Sequence, residues 1–107
     1  MEENMIRYIL NMGLNDKDTK TQKIQTLEAY KMVENVIKSL QFEGATIYES
    51  KGLYKHKNGE HVTETSLRME FLFATENQIR NLVSILKSAF NQESIAVQVE
   101  NVESDLW

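Results

Sequence analysis

Gly44-Ala45-Thr46-Ile47-Tyr48-Glu49-Ser50-Lys51-Gly52-Leu53-Tyr54-Lys55-His56-Lys57-Asn58-Gly59-Glu60-His61-Val62-Thr63-Glu64-Thr65-Ser66-Leu67-Arg68-Met69-Glu70-Phe71-Leu72-Phe73 reads as one long β-hairpin. Its bend is Asn58-Gly59. Both residues tolerate positive φ, which suits the type I′ turn of tight hairpins. With that turn, Lys57 faces Glu60 and His56 faces His61. Counting back in strict register sets Ile47 opposite Glu70 and Tyr48 opposite Met69, which puts apolar and polar residues on the wrong faces. One extra residue near Gly52 repairs the pattern: Ile47 then meets Met69, and Ala45 meets Phe71. A β-bulge around Gly52 is therefore expected. Past it the distal arm has little apolar content and is expected to project from the core.

Strand-like and helix-like segments flank the hairpin on both sides. Residues 5–14 alternate, so Ile6, Tyr8, Leu10, Met12 and Leu14 share one strand face, with Arg7 and Asn11 on the other. Residues 15–23 are polar and read as a loop, whose Asp16 and Asp18 are expected to face water. Leu27, Tyr30, Val33, Val36, Ile37 and Leu40 then recur at helical spacing, with Thr26 as the expected N-cap and Gly44 just beyond the helix. After the hairpin, Thr75-Glu76-Asn77-Gln78 has the form of a capping box. Ile79, Leu82, Val83, Leu86 and Phe90 make the buried stripe of a second helix, and Asn91 can end it. Ile95, Val97 and Val99 alternate as a last strand, and residues 103–107 form a tail.

The order β-α-β-β-α-β predicts an α+β, ferredoxin-like sandwich. Its sheet is four-stranded and antiparallel with spatial order 4-1-3-2, two helices cover one face, and the second and third strands form an extended hairpin. At 107 residues the chain reads as a single domain, 1–107. An apolar content of 41% with 26% charged residues is a globular balance. The net charge of −4 argues against a dedicated nucleic-acid-binding surface. There is no cysteine, hence no disulfide or thiolate chemistry. The acidic start and short apolar stretch after it resemble neither a secretory signal nor a membrane span, so a cytoplasmic protein without membrane contact is expected.

In this topology the loop after the first strand, the hairpin tip and the loop before the last strand lie at one end of the sheet. Lys17, Lys20 and Lys23 thereby approach Lys51, Lys55, His56 and Lys57, a basic cluster in an acidic chain. Lysines also sit on loops for solvation alone, so both readings stand. The sheet face away from the helices carries Met5, Arg7, Ile9, Asn11, Arg68, Glu70 and Leu72. This mixed surface suits packing on a second subunit, or a half-solvated sheet. His56 and His61, if they face each other, offer imidazoles for Zn²⁺ or Cu²⁺, with Glu64 or Tyr54 completing the shell; two exposed polar residues near a hairpin tip is the plainer account. No hydrolase, Walker, zinc-protease or Rossmann signature is present, so no enzyme activity and no cofactor is expected.

The stretch Gly44-Ala45-Thr46-Ile47-Tyr48-Glu49-Ser50-Lys51-Gly52-Leu53 resembles the second strand and mobile-loop entry of PII-like signalling proteins. Leu67-Arg68-Met69-Glu70-Phe71 is similar to their third strand, and Ile95-Ala96-Val97-Gln98-Val99-Glu100-Asn101-Val102 to their last. The resemblance implies a homotrimer with ligand sites in clefts between subunits, at the base of the hairpin arm. That family holds phosphates on a glycine-rich loop before the last strand. Here the place is taken by Asn91-Gln92-Glu93-Ser94, without glycine or cation, so the cradle does not carry over. The family's modified loop tyrosine has no residue-for-residue match, Tyr54 standing near its place.

These readings converge on a non-enzymatic, regulatory or sequestering homo-oligomer that binds a small anionic ligand such as a nucleotide. Lys51, Lys55 and Lys57 are the expected anion contacts, Lys20 and Lys23 their support, and Tyr54 the stacking residue. The alternative is a protein-interaction module, such as a phage or mobile-element inhibitor, whose arm docks on a larger host protein.

Overall fold

Alternation over the first strand and amphipathic runs elsewhere produce the expected element order. A computed structural model describes residues 3–55 and 58–107. They form β1 (Glu3–Gly13), α1 (Thr26–Ser39), β2 (Thr46–Lys55), β3 (His61–Phe71), α2 (Glu76–Ala89) and β4 (Ala96–Ser104). The sheet runs β2-β3-β1-β4 and every pairing is antiparallel. This is the expected 4-1-3-2 order read from the other edge. β1 is central because it carries the most apolar face: Tyr8, Leu10, Met12 and, just past the strand, Leu14 are all buried.

Against them pack Leu67, Met69 and Phe71 of β3, Ala29, Val33 and Ile37 of α1, and Ile79, Leu82 and Leu86 of α2. Phe42, after α1, lies on Phe71 with ring centroids 4.7 Å apart. Both helices close in the same way. Gln41 (φ 60°) and Asn91 (φ 48°) turn left-handed, and the N–H groups of Phe42 and Gln92 reach back to the carbonyls of Ile37 and Lys87. These are Schellman closures, with Gln and Asn where glycine is commoner. α2 starts with the expected capping box, in which the Thr75 hydroxyl accepts from the Gln78 N–H and the Gln78 side chain from the Thr75 N–H.

Three expectations fail locally. No bulge occurs at Gly52. The β2–β3 ladder runs in unbroken register from Thr46↔Glu70 to Lys55↔His61, with Gly52 opposite Glu64. The odd residue is absorbed between Lys55 and His61 instead, where Gly59 has φ 90°. An extra residue in an exposed connection breaks no ladder hydrogen bond, whereas a bulge does. Consequently His61 stands across from Lys55, not His56. The second failure is the N-cap of α1: Gln25 holds it, without a side-chain cap bond, and the Thr26 hydroxyl instead accepts from Gln22 Nε2 at 3.1 Å. Thirdly, Leu27 is 66% exposed. Six residues before Val33, it lies about 120° around the helix from it, off the buried Ala29-Val33-Ile37 line.

The face away from the helices is a polar lattice. Arg7 Nη2 donates to Glu100 Oε2 at 2.6 Å, and its Nη1 lies 3.9 Å from Glu70. Tyr48 donates to the same Glu70, whose carboxylate raises the phenol pKa. Arg68 donates to Gln98 at 3.4 Å. Ile9 is buried although it belongs to this face.

Candidate functional site

The loop after β1 is built rather than loose. Asp16 Oδ1 accepts the N–H groups of Asp18 (2.9 Å) and Thr19 (3.1 Å), an Asx turn. Its Oδ2 accepts Asn91 Nδ2 at 3.0 Å, and Lys23 Nζ lies 3.8 Å away. Asp16 is therefore buried, not water-facing as the sequence suggested. The Asn91 amide and the two loop N–H bonds pull its pKa down to about 2, with Lys23 adding a smaller attraction. Asn91 Nδ2 also reaches Asp18 at 2.8 Å, and Gln92 Nε2 donates to the Asn15 carbonyl at 2.7 Å. The end of α2 thus grips the β1–α1 loop.

The hairpin arm is tied in from the other side. Glu64 Oε2 accepts the Asn15 N–H at 2.9 Å. Its carboxylate passes directly over Gly13, where a Cβ would stand 2.5 Å from it. Glycine at 13 is what lets Glu64 reach the loop.

Between these three segments lies an open cleft of about 360 Å³, lined by Asn15, Asp16, Lys17, Lys20, Tyr54, Glu64, Gln92, Glu93 and Ser94. Lys20 and Tyr54, remote in sequence, both line it. Lys17 joins them. Lys23 turns to Asp16. Lys51 does not line the cleft; its Nζ donates to Thr65 Oγ1 at 2.8 Å and lies 3.6 Å from Glu49. Lys55 is exposed on the arm, and His56 and Lys57 lie outside the described residues. Among the described residues no cluster of three or more His, Asp or Glu side chains is placed to hold a metal. Sequence reasoning missed Asp16, Glu64 and Asn91 as the framework of the site. The Asx-turn pattern at Asp16 and the glycine two residues before Asn15 were the available signals.

The cleft has limited chemistry. Two of its acids are already engaged, Asp16 by three N–H donors and Glu64 by one. The Asn91 and Gln92 N–H groups close α2 and are turned away from any ligand. Around a ligand the cleft presents the Lys17 and Lys20 ammonium groups, the Tyr54 side chain and small polar groups, with Glu93 as an opposing charge.

This architecture is the PII-like fold, and solved structures bear that out. A phage SAM lyase in complex with S-methyl-5′-thioadenosine aligns with TM-score 0.66 and 19% identity, over 96% of this chain and 92% of that one. CutA from Synechococcus elongatus aligns with TM-score 0.63 and 18% identity, covering 97% and 83%. CPII from Thiomonas intermedia, a nitrogen regulatory PII-like protein bound to ADP, AMP and bicarbonate, aligns with TM-score 0.55 and 12% identity, covering 99% and 98%. The sequence itself, over residues 7–105, matches DUF3574, described as a protein of unknown function, and the chain belongs to that family. No curated protein matches it. No helix among the described residues is long and apolar enough to cross a membrane.

Proposed function

We propose that this protein is a homo-oligomer, with three subunits as the favoured number, that binds a small anionic ligand of nucleotide type and acts by regulation or sequestration in the cytoplasm. One observation carries the reading: Lys17 and Lys20 stand with Tyr54 in a single cleft, where Asp16 is held by three N–H donors and Lys23 and Glu64 is tied to the Asn15 N–H. An ammonium pair beside an aromatic ring suits a phosphate or carboxylate joined to a planar base. The volume of about 360 Å³ lies at the small end of ligand clefts. Its open side leaves room for a second subunit to complete it. That two proteins of this fold hold adenine compounds agrees with the ligand class.

Calorimetry with AMP, ADP, ATP and S-methyl-5′-thioadenosine tests the reading. Binding of at least one, lost in Lys20→Glu and kept in Lys31→Glu on α1, is the expected result. Absence of heat from every member at millimolar concentration sinks it. Incubation with S-adenosylmethionine belongs in the same panel, because one protein of this fold is a lyase for it. Its consumption would replace binding by catalysis as the role of the cleft.

Leu53, 69% exposed on the arm, favours a second reading, in which the arm docks on a larger protein. Removing residues 56–60 separates the two: partner capture lost while nucleotide binding stays intact points to docking.

A further inference from the structure

On the helix side of the sheet, β4 is left partly uncovered. Val97 and Val99 are 41% and 60% exposed there. Together with Tyr8, Ile79 and Val83 they form the floor of a groove of about 750 Å³ between α2 and β4. Its rim is basic at the end nearest the cleft, where Lys17 and Lys87 stand. Arg80 also borders it but is paired with Glu76 at 3.0 Å. Elsewhere on the molecule, Leu106 and Trp107 project after β4 with essentially no cover at all. A tryptophan can bury roughly 150–250 Å² of apolar surface, so leaving one wholly in water forgoes a large gain. Glu103 and Asp105 make the same segment acidic.

The groove and this segment match in polarity and in charge, yet they cannot meet within one chain. Val99 lies five residues before the end of β4 at Ser104, roughly 17 Å at strand rise. Reversing direction consumes about two residues, which leaves Trp107 no length to run back to Val99. A Leu106-Trp107 segment seated on Val99 would therefore come from another molecule. We propose that Leu106 and Trp107 of one copy insert into the α2–β4 groove of a second copy. The contact joins two different patches, so it is heterologous and closes into a ring if the rotation allows. This inference shares with the preceding section only the homo-oligomer, and nothing in it depends on a ligand.

Trp107 is the sole tryptophan, so its fluorescence reads the contact directly. In the wild type the emission should lie at short wavelength at high concentration and move to long wavelength on dilution, in step with the mass from light scattering. Two variants test the pairing in trans. Val99→Arg blocks the groove at a largely exposed position and keeps the tryptophan. Trp107→Ala keeps the groove and is dark. Alone, Val99→Arg should emit at long wavelength; excess Trp107→Ala should shift that emission to short wavelength. An oligomer whose Trp107 emits at long wavelength at every concentration overturns the insertion and leaves the homo-oligomer standing. A monomer at all concentrations overturns both. Short-wavelength emission that neither dilution nor Val99→Arg changes also overturns it. Circular dichroism of both variants confirms that they fold.

Discussion

At the scale of single residues, Asp16 and Gly13 decide how the cleft end is built. Asp16 holds a folded pKa of about 2 against an ordinary 3.8. A depressed acid stabilises the fold above its unfolded pKa and loses that contribution as pH falls through the folded one. Thermal melts of the wild type should therefore lose stability between about pH 4 and pH 2 from this group, and Asp16→Asn should show a smaller loss across that window. The measurement is Tm against pH for the two proteins, and parallel curves would deny Asp16 this role. Gly13→Ala places a methyl against the Glu64 carboxylate and expels it from the Asn15 N–H. A hydrogen bond to a charged acceptor is at stake, so a loss of about 1–3 kcal/mol is expected by urea denaturation. In a Glu64→Ala background the same substitution should cost much less, because nothing remains to expel. Sequence reading placed glycine 13 at a strand end without seeing Glu64, since the two are brought together only by β3 returning beside β1.

Among the elements, the two helices start differently and this difference is measurable. Thr75 caps α2 with a reciprocal box, whereas Gln25 gives α1 no side-chain cap. Thr75→Ala should cost about 1 kcal/mol, and Gln25→Asp should add about 0.5–1 kcal/mol, since the Gln25 backbone already has extended cap geometry. Equilibrium unfolding of the two variants checks both signs. The hairpin taught the opposite lesson from the capping box. Alternation identified Ile47↔Met69 correctly, because which side chains face the core depends only on period two and burial. It misplaced the compensating residue at Gly52, because a turn of unknown length and a bulge shift the register equally and pattern alone does not tell them apart. For that same reason His61 stands across from Lys55.

For the molecule as a whole, the extents of 51 × 29 × 22 Å show how far the arm and sheet stretch the body beyond its core. The proposed ligand chemistry belongs at this scale, since it draws on three separate segments. Lys20→Glu should weaken nucleotide binding at least about tenfold, the ~1.4 kcal/mol order of a lost charge-assisted contact. Binding should also weaken with added salt. Titrations at low and high ionic strength read both, and salt-independent affinity would place the ligand away from the lysines. Light scattering counts the subunits, with a three-chain mass expected.

Element order, the helix stripes apart from Leu27 and the facing of each strand were determined by the sequence alone, because local periodicity needs no knowledge of distant residues. That Lys20 and Tyr54 would share one end followed from the topology those elements imply. Only the tertiary structure decided that Asp16 is buried, that Asn91 and Gln92 bind the first loop, that Lys51 turns to Thr65 and away from the cleft, and that Val97 and Val99 stay uncovered. Each of these depends on hydrogen bonds or gaps between segments far apart in the chain, and no local pattern encodes a contact whose partner is set by packing.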